Sequence, residues 1–102
     1  MEDERRQILD WIEADREEIV AFLRAFLRIP SPNPPGDTRE AAGHLTRFLE
    51  AEGIEHRVIA PEPTMPNIVA SVEGGAPGRH LVLNGHIDVF PVAAEERWTT
   101  DP

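Results

Sequence analysis

Apolar positions between Glu4 and Arg28 recur with helical spacing. Ile8, Ile12, Ile19, Phe22 and Phe26 fall on one stripe, which Leu23 and Leu27 widen. Asp15 interrupts that stripe, and Asp15-Arg16-Glu17-Glu18 has the form of a capping box, an acid followed three residues later by glutamate. The pattern predicts one long helix over 4–28, or a short helix followed by a second over 16–28. The charges in the run then form a solvated face. Ile29-Pro30-Ser31-Pro32-Asn33-Pro34-Pro35-Gly36 breaks the period, because its prolines remove backbone donors and hold the chain extended. Such a stretch connects elements, and its stiffness can also shape a pocket rim. Asp37, with Glu40 at the matching position, caps a further helix that runs to about Glu52. Ala41, Ala42, Leu45, Phe48 and Leu49 share one of its faces, and Gly53 ends it.

The period then changes from helical to strand-like. Residues 55–59 and 67–72 read as short strands, separated by a loop holding Pro61, Pro63 and Pro66. After the turn at 74–78, His80-Leu81-Val82-Leu83-Asn84-Gly85 is the most apolar run of the three. It has the character of a strand buried on both faces. From Pro91 to Pro102 there is no periodicity, and the chain has no internal repeat. The expected class is α/β, with helices packed on a mixed sheet whose strand order the sequence leaves open. Three strands leave two open edges, and a doubly buried strand needs more cover than these helices supply. Residues 1–102 are therefore expected to be the first part of a larger domain.

Composition narrows the function classes. The 102 residues carry 10 basic and 19 acidic side chains, a formal net charge of −9, which disfavours nucleic acid and anionic membrane surfaces as partners. Every basic residue is arginine, so neither a Schiff-base lysine nor a P-loop lysine is present. The absence of cysteine removes disulfides, thiolate metal sites and thiol nucleophiles. No apolar run approaches the roughly 18 residues of a membrane span, and the charged start Met1–Arg6 lacks the apolar stretch of a secretory signal. A cytoplasmic protein is expected.

Chemistry concentrates in Leu83-Asn84-Gly85-His86-Ile87-Asp88-Val89. The apolar run ends in glycine and then presents His-X-Asp, whose two polar side chains point to the same side of an extended chain. The tips of strands in open α/β sheets are where ligands bind. A neutral imidazole is the commonest metal ligand, and a neighbouring carboxylate can fix its tautomer. The plainer alternative is a surface histidine beside a turn aspartate.

Asn84-Gly85-His86-Ile87-Asp88-Val89, then Pro91, Trp98 and Asp101-Pro102, resembles the first metal-site block of the M20 metallopeptidases. That group includes glutamate-releasing carboxypeptidases, acetylornithine deacetylase, succinyl-diaminopimelate desuccinylase, aminoacylases and several dipeptidases. Ile29-Pro30-Ser31, Glu52-Gly53 and Asn67-Ile68-Val69-Ala70 agree with it, so the resemblance runs from about Ile19 to Pro102. It implies a three-layer α/β/α zinc-peptidase-like domain, here incomplete. It also implies two divalent ions, Zn2+ with Co2+ or Mn2+ as substitutes, bridged by a carboxylate and a water. On this resemblance His86 ligates one metal, and Asp88 is the residue usually called catalytic, acting by orienting that imidazole. The implied reaction is hydrolysis of an amide or peptide bond in a small N-acyl amino acid or peptide, by an enzyme that can be a homodimer. The bridging aspartate, the base glutamate and the dimerisation domain of such enzymes lie beyond Pro102. The 102-residue chain alone is therefore expected to be inactive and to hold zinc weakly, since one histidine is short of the three protein ligands of a catalytic zinc.

Other candidates are set aside. Glu95-Glu96 resembles the paired glutamates of the family but sits in a polar insert before Trp98, so it reads as solvated loop. His80 shares a face with His86 but lies about 20 Å away along an extended strand. His44 and His56 suit structural roles, Trp98 suits packing, the role of Asn84 is undecided, and Ser31 has no histidine at nucleophile spacing. Two rival functions remain at this level: a non-catalytic binding or assembly module, and a small metal-binding protein whose site Glu95, Glu96 or Asp101 completes.

Overall fold

Three helices precede a two-stranded sheet in the computed structural model, which describes residues 1–93 and 97–102. They are α1 (Glu2–Ala14), α2 (Arg16–Leu27), α3 (Arg39–Ala51), β1 (His56–Ile59) and β2 (Asn67–Ala70). Of the two arrangements the first stripe allowed, the structure adopts two helices. Asp15 is the hinge, with φ −91° and ψ 4°. Its amide closes α1 on the Trp11 carbonyl at 3.0 Å, and its own carbonyl accepts from Ile19 at 2.9 Å to open α2. The expected capping box is not made, because the Asp15 side chain takes no cap hydrogen bond. Across the break Arg16 pairs with Glu13 at 3.0 Å, an exposed contact of small energetic weight.

The start of α3 also differs by one residue from expectation. Thr38, not Asp37, holds the N-cap position. Asp37 instead grips Arg39. One carboxylate oxygen accepts from Arg39 Nε at 3.0 Å and from its backbone N–H at 3.2 Å, and the other accepts from Nη2 at 2.7 Å. A two-point guanidinium contact outcompetes a single cap bond. The Arg39 side-chain and backbone hydrogen bonds hold the Asp37 carboxyl down at about 2. The group is depressed, so the charged pair persists above the ordinary carboxylate range and is lost only as pH falls through about 2. Carbon-detected NMR titration of Asp37 is expected to give that midpoint, and Arg39→Ala to return it to the ordinary value of about 3.9. An unshifted midpoint in the unmutated chain would show that the pair does not form in solution.

At the other end of α3 the Gly53 amide donates to Glu50 and the Ile54 amide to Leu49, at 3.0 and 2.8 Å. This is a Schellman stop, and Gly53 takes the left-handed φ of 68° that it requires. The strands pair antiparallel, with His56 opposite Ala70 and Ile59 opposite Asn67. Asn67 Nδ2 donates to the Ile59 carbonyl at 3.1 Å and closes that end of the ladder.

The expected third strand is not formed. Residues 80–85 join no ladder, and Leu81, Val82 and Leu83 are 78%, 73% and 86% exposed rather than buried. The physical reason is pairing. β1 and β2 pair with each other, and residues 80–85 are hydrogen-bonded to the outer edge of neither. The sheet is therefore antiparallel, not mixed. The one parallel pairing among the described residues is an isolated bridge between Pro32 and Val89.

Packing is correspondingly thin. Ala41 and Ala42 are the buried apolar residues among those described, on the inner face of α3. Phe22 packs on His44 and Phe48 with ring centroids 5.2 and 4.7 Å apart, joining α2 to α3. Ile8, Leu9, Trp11 and Ile12 of α1 remain half exposed or more. The accessible surface of 9492 Å² compares with about 5,800 Å² for a folded monomer of this mass. The radius of gyration of 16.9 Å compares with about 13 Å for a compact chain of this length. Among the described residues no helix is long and apolar enough to cross a membrane.

Candidate metal centre

The proline-rich connector after α2 and the segment 86–89 are laced together. Val89 N donates to the Ser31 carbonyl at 3.0 Å, and Asn33 N donates to the Val89 carbonyl at 2.8 Å. Ser31 is buried, and its hydroxyl donates to the Ile87 carbonyl at 3.1 Å. The sequence explains this alternation. Pro32 and Pro34 have no N–H, so the connector can donate to its partner only from the residues between them. Gly36 then turns the chain with φ 81°, its amide on the Pro32 carbonyl at 2.8 Å. A side chain there would meet Met65 Cε at 2.8 Å as well as a strained backbone. Thr38 N donates to the Thr64 carbonyl at 2.9 Å, which ties the start of α3 to the β1–β2 loop.

His86 and Asp88 lie on one side of this lacing, in contact. His86 Nδ1 is 2.7 Å from the Asp88 backbone carbonyl and 3.2 Å from Asp88 Oδ1. The shorter contact is to the backbone, a partner that residue spacing alone does not indicate. A carbonyl oxygen only accepts, so Nδ1 carries the proton and donates. In the neutral ring the lone pair is then on Nε2. The imidazole is 83% exposed, so Nε2 is accessible to a ligand-seeking ion. Asp88 is half-buried, with its second oxygen, Oδ2, accepting from Asn33 Nδ2 at 3.0 Å. The Asn33 amide, and after it the His86 charge, hold the Asp88 carboxyl below its ordinary range. At neutral pH Asp88 is thus a fixed anion and not a proton donor.

A cavity of about 450 Å³ opens beside the pair. Asn84, Gly85, His86 and Asp88 form one wall, and Asn33, Thr38, Met65 and Asn67 face them. The other histidines lie elsewhere. His44 stacks against Phe22 and Phe26, with its Nε2 buried and without a hydrogen-bond partner. His56 Nδ1 donates to the Ile54 carbonyl at 3.1 Å, and its Nε2 is 4.0 Å from Glu50 Oε1. His80 is exposed in the segment after the sheet, and Trp98 is 53% exposed. Glu95 and Glu96 lie outside the described residues. Among the described residues no group of three or more metal-ligating side chains converges. Sequence reasoning passes over Asn33 and weighs Ser31 only as a nucleophile; the signal for both is their alternation with proline.

The chain is similar to two kinds of curated protein. It is 32% identical to an N-formyl-4-amino-5-aminomethyl-2-methylpyrimidine deformylase of Halalkalibacterium halodurans, over 94% of this chain and 23% of that protein. It is 28% identical to the protein of the same name in Bacillus subtilis, over 89% of this chain and 22% of that one. It is 35% identical to a succinyl-diaminopimelate desuccinylase of Nitrobacter hamburgensis, over 80% of this chain and 21% of that protein. The chain thus spans less than a quarter of the length of these relatives. No family model matches it, and no solved structure does.

Proposed function

We propose that this chain is the N-terminal part of the catalytic domain of a metal-dependent amide hydrolase of the M20 group, and that His86 is one ligand of its divalent ion. The observation that carries this reading is the hydrogen bonding of the imidazole. Nδ1 is committed to Asp88, so Nε2 is left as the ligating nitrogen, in the arrangement found around metal-bound histidines. The donor set fits part of such a site. A catalytic zinc takes three protein ligands and a water, and the described residues supply one clear ligand. The remaining ligands would belong to further chain, and the relatives extend well beyond the matched segment. Zinc is the first expectation, and Co2+ or Mn2+ suit the same donors.

A bound ion of this kind supplies Lewis-acid polarisation of a carbonyl and a water of lowered pKa. The chain's own residues do the holding. His86 presents Nε2, and Asp88 stays anionic beside Nδ1–H and keeps the ring from turning over. The adjoining cavity of about 450 Å³ is of the size that takes a small molecule. The names of the relatives, a deformylase and a desuccinylase, support an N-acylated amino compound as the substrate class. The same reading accounts for the uncovered apolar surface. In a three-layer α/β/α domain Leu81–Leu83 would enter a sheet and the apolar sides of α1 and α2 would gain cover.

The test is amine release from N-formyl and N-succinyl substrates by the protein that contains this segment. Activity is expected to vanish on chelation and to return with Zn2+, Co2+ or Mn2+. Turnover that survives complete metal removal would contradict the proposal.

A further inference from the structure

We infer that Asn33 is a positioning residue for the metal half-site, fixing the Asp88 carboxylate in the orientation that faces His86. The inference rests on the reading of His86 as a ligand and names a residue, 55 positions from Asp88, that sets that neighbour of His86. Asp88 has two oxygens with different tasks. Oδ1 lies 3.2 Å from His86 Nδ1, and Oδ2 accepts from Asn33 Nδ2 at 3.0 Å. A half-exposed aspartate without that second bond is free to swing among its staggered rotamers. Each swing would take Oδ1 away from the imidazole and leave Nδ1–H with the backbone carbonyl alone.

Asn33 is itself well held. Its backbone N–H is on the Val89 carbonyl at 2.8 Å, and the flanking Pro32 pairs with Val89. Ser31, buried at 3% exposure, anchors the same stretch through its bond to the Ile87 carbonyl. The donor amide is therefore aimed by a stiff connector tied to both neighbours of Asp88, to Val89 through its backbone and to Ile87 through the Ser31 hydroxyl. Only a donor suits the position, because the facing group is an anion. Asparagine offers two N–H bonds there, whereas an aspartate of the same shape would offer none and add a like charge.

The test needs no metal and no turnover. Three-bond couplings from Asp88 Cγ to its backbone N and C′ report the χ1 rotamer directly. The unmutated chain is expected to show a single Asp88 rotamer, and Asn33→Ala an averaged one. Asn33→Leu keeps the shape of the side chain and removes the donor without adding charge, so it is expected to average like the alanine variant. A packing role alone would leave Asn33→Leu unchanged. Protection of the Val89 amide, bonded to Ser31, checks that the lacing survives in both variants. In the complete enzyme both substitutions are expected to weaken zinc binding by less than the roughly 10–100-fold that follows from losing Asp88 itself. An averaged rotamer in the unmutated chain, or a single rotamer in both variants, overturns the inference. His86→Ala separates the two readings. If it leaves activity intact, the metal reading fails while the coupling result still decides the role of Asn33.

Discussion

Replacement of His86 by alanine is expected to reduce amide hydrolysis by the complete protein to background. The substitution removes the imidazole whose Nδ1 is held by Asp88 and whose side chain is exposed for ligation through Nε2. It leaves the fold untouched, because the side chain is 83% exposed and buries almost nothing. Neither His44 nor His56 can substitute. His44 is enclosed by Phe22 and Phe26, and His56 faces Glu50 beside a different cavity of about 630 Å³. In the proposed site, with three protein ligands, loss of one is expected to release the ion, so the effect would be larger than any that acts through a neighbour. Metal content by atomic absorption, measured with turnover, separates loss of the ion from loss of the fold. Full activity in His86→Ala would take the site assignment with it.

Asp88 is expected to show the second largest effect, of about 10–100-fold in metal affinity or rate for Asp88→Ala. The limit arises from the geometry. The shorter partner of His86 Nδ1 is the Asp88 backbone carbonyl, which the substitution keeps. What is lost is the anion 3.2 Å away, which stabilises the ring in its donating state. Asp88→Asn should fall between the two, since it keeps the shape and an acceptor oxygen but no charge. The split between metal affinity and turnover in the two variants measures how far the charge, rather than the hydrogen bond, supports the ligand. Equal metal affinity and rate in all three proteins would show that Asp88 does not serve His86.

Much of the local structure was legible because it depends on local pattern. The 3.6-residue period gave α1, α2 and α3, and Asp15 marked the break within the first stripe. Gly53 marked the end of α3 and β1 and β2 fell within the expected runs. The misreadings share one cause, which is competition between partners. Asp37 and Thr38 are both capping residues, and Arg39 two positions on decided between them. Residues 80–85 have the composition of a buried strand, but composition states a demand for cover, while a strand needs a paired edge. His86 and Asp88 were readable as a pair because alternate residues of an extended chain share a side. Asn33 was not readable in that way. Its contact with Asp88 crosses 55 positions and depends on how the connector folds back.

The tautomer of His86 is the measurement closest to the centre of this reading. Long-range proton–nitrogen NMR at about pH 8, above the ordinary histidine range, distinguishes a protonated ring nitrogen from a bare one. With Nδ1 bonded to Asp88, the expected spectrum shows Nδ1 protonated, Nε2 unprotonated, and added Zn2+ acting on the Nε2 resonance. A ring protonated at Nε2, the form that freely solvated imidazoles favour, would mean that Asp88 does not hold it and that the exposed Nε2 is not the ligating nitrogen.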